Sequence, residues 1–244
     1  MKVKIKIVDL HKKFGTKIVL NGINLEIFEG EILCVIGKSG TGKSVILKHL
    51  IGLLEPDSGS IFVDDEIFTQ IKEPDKIRIR KKFGVLFQMA ALFDSLNIYD
   101  NVAFGLRRNN VSEEEIKIAV PMLLEQVGLK NIEERIPSDL SGGMQKRVGL
   151  ARAIAVKPEI MLYDEPTTGV DPITGGTVDR LIQKMNQLYN VTSIVITHDL
   201  NSAYRIADRI AMLNDGKVIF IGKPDELRVS SDPAVMHFLR GKAQ

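Results

Sequence analysis

Apolar and polar positions alternate one for one at the start of the chain. Val3, Ile5 and Ile7, and then Ile23, Leu25 and Ile27, fall on one side of the alternation. A period of two is that of a half-buried strand, and Asn21-Gly22 and Glu29-Gly30 punctuate the runs as turn signals. The pattern then changes. Residues 31–36 are apolar after Glu31, which suits a buried strand, and 45–54 carry an apolar helix. Pro56-Asp57-Ser58-Gly59 reads as a turn, with strands expected at 60–63 and around 84–88.

From 89 to 155 the pattern turns helical. Ser112 followed by Glu113, Glu114 and Glu115 predicts a capped helix start, with three carboxylates at the helix's positive end. Val148, Leu150, Ala151 and Ile154 form a helical stripe over 142–156, which Pro158 ends. Strand and helix then alternate: a strand at 160–163, a helix at 177–189, a strand at 193–197 and a helix at 201–207. A hairpin of 211–213 and 218–221 turns at Asp215-Gly216, and a helical tail begins at 225. This order describes an α/β chain divided into 1–88, a helical segment 89–157, a second α/β part 158–225 and a tail 226–244.

Composition narrows the function classes. The 244 residues include 44% hydrophobic positions, enough for a sizeable core, and 33 basic against 31 acidic residues give a net charge of +2. That balance gives no support for nucleic-acid binding. The single cysteine, Cys34, sits in the first buried strand, where a small hydrophobe is expected rather than a reactive thiol. With no intrachain disulfide, no apolar run near the ~20 residues of a membrane span and no signal-peptide pattern, a cytoplasmic protein is expected. Any membrane spanning would fall to another chain.

Candidate chemistry lies where strands end. Gly37-Lys38-Ser39-Gly40-Thr41-Gly42-Lys43-Ser44 fits G-x-x-x-x-G-K-[ST] between a strand and a helix. The glycines let backbone N–H groups point at a phosphate tail, Lys43 would bridge the β- and γ-phosphates, and Ser44 would take a Mg²⁺ position. Residues 160–165 are an apolar strand ending in two carboxylates. Asp164 would hold the metal through its water shell, and Glu165 would polarise the attacking water. Ser141-Gly142-Gly143 opens a helix and offers a second anion site.

With these motifs in this order, residues 1–225 resemble the ATP-binding cassette (ABC) family. The resemblance implies a P-loop NTPase (RecA-like) core with an N-terminal antiparallel β-subdomain and an inserted α-helical subdomain. It also implies ATP and Mg²⁺. Gln88, 45 residues after Lys43, matches the family's metal- and water-contacting glutamine, and His198 its switch histidine. His11, His49 and His237 match nothing. Phe14 stands where the family stacks an aromatic on adenine, with an ordinary core phenylalanine as the alternative; tyrosine is more usual. Thr168-Gly169-Val170-Asp171 occupies the loop that couples paired sites. Met144 departs from the family's commoner glutamine.

In the family, Ser141, Gly142 and Gly143 of one subunit cover the nucleotide of another, which implies a homodimer with two ATP molecules in its interface. Leu86-Phe87-Gln88, Ala91-Leu92-Phe93, Asp100-Asn101-Val102-Ala103, Leu106-Arg107, Asp171-Pro172-Ile173-Thr174 and residues 232–241 look like the ATPases of MCE-associated phospholipid transporters, the Mla type. That likeness implies phospholipid transport between membranes, powered from the cytoplasmic face of the inner membrane. Its partners would be a separate permease, an MCE-domain lipid-binding protein and a small regulatory subunit. Leu92, Phe93 and Phe104 would line a groove for the permease or pack the helical subdomain. The alternatives are an importer ATPase for another solute and a soluble cassette protein acting in assembly.

Overall fold

A computed structural model describes residues 2–240. Met1 and residues 241–244, the ends of the first expected segment and of the tail, lie outside them. The elements run β1 Val3–Phe14, β2 Lys17–Phe28, β3 Ile32–Gly37, α1 Lys43–Leu50, β4 Ser58–Val63, β5 Glu66–Ile67, α2 Asp75–Arg80 and β6 Phe83–Leu86. A helical block follows, α3 Ile98–Arg108, α4 Glu113–Gln126 and α5 Gly142–Ala155. The chain returns through β7 Ile160–Asp164, α6 Pro172–Tyr189, β8 Thr192–Thr197, α7 Leu200–Ile206, β9 Arg209–Asn214 and β10 Lys217–Gly222, and closes with α8 Pro224–Arg228 and α9 Pro233–Arg240.

Two sheets result, an antiparallel β2-β1-β4-β5 and a six-stranded β10-β9-β3-β8-β7-β6. In the second, β9, β3, β8, β7 and β6 are parallel and only β10 runs against its neighbour. Strand β3 is buried along its whole length, and its alternate side chains serve two cores. Leu33 and Val35 pack with Ile5, Ile7, Ile46 and Leu47 between the sheets. Ile32, Cys34 and Ile36 face Val148, Ala151 and Val178 on the helical side. Cys34 is a fully buried core residue, and burial pushes its thiol pKa well up. Among the described residues no helix is long and apolar enough to cross a membrane.

Several boundaries differ from the pattern-based expectation; the helix expected at 45–54 runs Lys43–Leu50, and the strand expected around 84–88 ends at Leu86, leaving Gln88 in the loop. Asn21-Gly22 does not break a strand: β2 runs through it, and a shift of register opposite Leu10 and His11 absorbs the irregularity as a bulge. The hairpin instead turns between Phe14 and Lys17. Helix α6 begins at Pro172 rather than 177, because Asp171 caps it through the N–H groups of Ile173 and Thr174. Helix α2 and the two-residue β5 have no counterpart in the expected elements. By contrast, Ser112 and Glu115 form the capping box that α4 was expected to need.

Candidate active site

Four loops meet at the C-terminal ends of neighbouring parallel strands: those after β3, β8, β7 and β6. Ligands of open α/β sheets bind at such strand ends. The loop after β3 is shaped by close approach. At Gly42 the backbone has φ 100°, and a Cβ there would lie 2.7 Å from Leu20 Cδ2 and 2.9 Å from the Val19 carbonyl. Only glycine fits this turn into α1. Lys43 is buried, and its Nζ donates to the carbonyls of Gly37 at 2.9 Å and Lys38 at 3.0 Å. Thr41 Oγ1 donates to the Lys38 carbonyl, which braces the same turn.

Ser44 Oγ donates to Asp164 Oδ1 at 3.0 Å, joining the first turn of α1 to the end of β7. Burial raises the Asp164 pKa above the usual carboxylate range, and the Ser44 hydrogen bond opposes that rise. Two hard oxygens at this distance suit Mg²⁺, which takes one or two protein oxygens and completes its shell with water and phosphate. Among the described residues no cluster of three or more His, Cys, Asp or Glu could hold a metal alone. Ser44 and Asp164 therefore fit an ion that arrives with a phosphate ligand.

Glu165, the next residue, has a left-handed backbone at φ 49°. Its N–H donates to the Ile196 carbonyl of β8, and Lys146 Nζ from α5 donates to its own carbonyl at 3.2 Å. Carboxylate oxygen Oε2 accepts from Thr168 Oγ1 at 3.1 Å and from the His198 N–H at 3.3 Å. His198 Nδ1 lies 2.7 Å from the same oxygen. His198 is framed in turn by Asp199, which caps α7 through the N–H groups of Asn201 and Ser202.

One cavity of about 520 Å³ is bounded by Lys38, Ser39, Gly40, Gly42, Lys43, Ser44, Gln88, Glu165 and His198, with Val19 and Val45 as its apolar wall; Gly37, Thr41 and Asp164 are not part of its lining. Phe14 does not line it. Its ring is 48% exposed at the hairpin tip, which excludes a core phenylalanine, and Lys12 Nζ sits 5.7 Å from the ring centre. Ser141, Gly142 and Gly143 also lie outside the cavity lining. Ser141 caps α5 by accepting from the Met144 N–H, and Ser141 and Gly142 are exposed. Phe93 and Phe104 are partly exposed, their rings 4.7 Å apart between centroids and tilted by 46°, while Leu92 packs against the helical-side core.

Val19, Val45 and Lys146 stand at the site and were absent from the candidates drawn from the sequence. Val19 brings the β-hairpin to the phosphate loop. Lys146 is buried and reaches the Glu165 carbonyl, and burial lowers its pKa. A lysine on the inner face of α5, beside the stripe of Val148 and Leu150, was the available signal.

Residues 20–168 match the family model of the ABC transporter. The chain is 41% identical over 99% of its length to a probable ribonucleotide transport ATP-binding protein, mkl, of Mycobacterium leprae, and covers 70% of that protein. It is 39% identical over 98% of its length to the ATP-binding protein MlaF of an intermembrane phospholipid transport system in Haemophilus influenzae, and covers 91% of it. Among solved structures, a dimeric ATP-binding cassette in a post-hydrolysis state, bound to ADP and Pi, superposes with a TM-score of 0.81 at 33% identity, covering 90% of this chain and 98% of that one. Site geometry, family match and near full-length relatives agree: the chain belongs to the ABC transporter family.

Proposed function

We propose that this ATP-hydrolysing chain powers phospholipid transport between membranes. It would work as a head-to-tail pair of copies on the cytoplasmic face of a separate permease, with an MCE-type lipid-binding protein and a small regulatory subunit as further partners. The observation that carries the hydrolytic part is the placement of Glu165 Oε2, held by Thr168 and His198 at the wall of the cavity that Lys43 and Ser44 line.

The residues divide the work. Lys43 and the N–H groups of residues 38–44 hold the phosphate tail. Ser44, Asp164 and Gln88 would hold Mg²⁺, which when bound would neutralise charge on the phosphates. Glu165 orients the attacking water, while His198 meets the γ-phosphate and is itself oriented by Glu165. Phe14 stacks on the base. Ser141, Gly142 and Gly143 complete the site of the second copy, which the exposure of Ser141 and Gly142 outside the home cavity allows. Hydrolysis removes the phosphate held between copies, and the pair reopens.

The cargo rests on two supports. One is the run of residues between Leu86 and Arg107; the other is the MlaF relative, matched over nearly its whole length. The relative named for ribonucleotide transport is matched over a smaller share. Gentle purification of the tagged chain from detergent-solubilised native membranes tests the assignment. Recovery of a multi-spanning permease, an MCE-type protein and phospholipid is expected. A permease recovered with a solute-binding protein and no lipid would keep the ATPase and discard the cargo.

A further inference from the structure

The segment after Gln88 is strained, and it is fastened from the helical side. Ala90 and Ala91 lie next to each other in the left-handed region, at φ 58° and 49°, where residues other than glycine are uncommon. Arg152 of α5 grips both. Its Nη2 donates to the Ala90 carbonyl at 2.8 Å and its Nη1 to the Ala91 carbonyl at 2.7 Å. A planar guanidinium suits such a pair of acceptors, whereas an ammonium is a single point of charge. The same guanidinium stands 5.6 Å from the centre of the Phe93 ring.

Helix α5 also meets this loop at Gly149. A Cβ there would lie 2.9 Å from Leu86 Cδ1 and 3.2 Å from Ala90 Cβ, so these two side chains pack directly on the helix backbone. The far end of the loop is tied to α3. Fully buried Asn101 accepts from the Phe93 N–H and donates to the carbonyls of Phe93, Leu96 and Asn97. Residues 90–97 are thus anchored to the helical block, while Gln88, two positions earlier, lines the cavity on the core.

We propose that Arg152 is a positioning residue whose fork on Ala90 and Ala91 sets where Gln88 stands against Lys43, Ser44 and Glu165. This rests on the reading of the cavity as the ATP site. It adds a route between two sites. Arg152 lies on the helix that Ser141 opens, about 16 Å along its axis at 1.5 Å per residue. A shift of Ser141 against the second copy's nucleotide therefore moves Arg152 with it, and Arg152 moves the Gln88 loop of the home site.

Steady-state Mg·ATP hydrolysis by the full chain tests the latch, beside hydrogen exchange of the peptide covering 87–97. Arg152→Lys keeps the charge and loses the fork. It should lower kcat about tenfold or more with KM for ATP within about twofold, because misplacement of a reacting-site group acts on turnover. Exchange should rise across 87–97. Adding Ala91→Gly, which takes the left-handed turn without strain, should restore several-fold of the lost kcat and protect the peptide again; an arginine that merely stabilised the fold would show no such rescue. Gln88→Ala is the control. If it is impaired while Arg152→Lys keeps wild-type kcat and exchange, the latch is refuted and the ATP site stands. If Gln88→Ala turns over normally, Gln88 leaves the site and the latch falls with it.

Discussion

Burial works against the charge on Asp164, and its causes set a sign. Desolvation raises the carboxyl pKa; the Ser44 hydrogen bond, Lys48 and Lys43 pull it down, while Glu165 adds to the rise. Between the unfolded value and the raised folded value the folded chain binds more protons than the unfolded one. Stability therefore falls as pH rises through that window, and the whole cost stands above it. Asp164→Asn removes the charge and keeps an oxygen to accept from Ser44. It should melt higher than the wild type at about pH 8, with the gap closing toward about pH 4. Its Mg-dependent ATP hydrolysis should fall at least about a hundredfold. A calorimetric gap equal at both pH values would assign the gain to something other than the buried charge. In the sequence Asp164 and Glu165 were marked by the end of an apolar run, and Lys43 and Ser44 by the fixed spacing of the phosphate-loop pattern, whereas His198 was carried by the family resemblance. Lys146 and Arg152 were not legible. Their partners lie 19 and 61 residues away in sequence, and periodicity carries no information about which distant carbonyl a buried cation will meet.

The elements were largely legible for a related reason: strand ends and helix caps are written locally. Ser112 announces α4 through its capping box, whereas Asp171-Pro172 carries an equally local start signal for α6 that the apolar stripe, beginning five residues later, overrode in the expected boundary. Contacts between elements are another matter, and Asp179 shows why. It is a fully buried carboxylate on α6, yet both its partners come from α7: Ser202 Oγ donates to it at 2.7 Å, and Arg205 pairs with its other oxygen. This joint binds the helix that follows the Thr168–Asp171 loop to the helix that follows His198. Asp179→Ala leaves the Ser202 hydroxyl buried without its acceptor and should cost about 2 kcal/mol of unfolding free energy. Asp179→Asn keeps an acceptor for Ser202 and should cost clearly less. Urea unfolding of the two variants decides it. Equal losses would place the weight of the joint on the Arg205 ion pair instead of the hydroxyl.

At the scale of the whole molecule, the helix start proposed to bind a phosphate tail lies outside the chain's own cavity. Lys43 and Ser44 line that cavity, while Ser141 and Gly142 are exposed outside it at the head of α5. A head-to-tail pair reconciles the two, because each site then takes Lys43 from one copy and Ser141 from the other. Mixing experiments separate this from a site completed within one chain. Lys43→Ala and Ser141→Arg each disable both sites of a pure pair. In a mixed pair the two defects fall on the same site and leave the other intact. Random reassortment makes about half of the pairs mixed, so equal mixing should recover about a quarter of the wild-type ATP turnover. A mixture no more active than the two variants measured apart would exclude sites that are both shared between copies and able to work singly. Recovery would instead show that one intact site shared between two copies is enough for turnover.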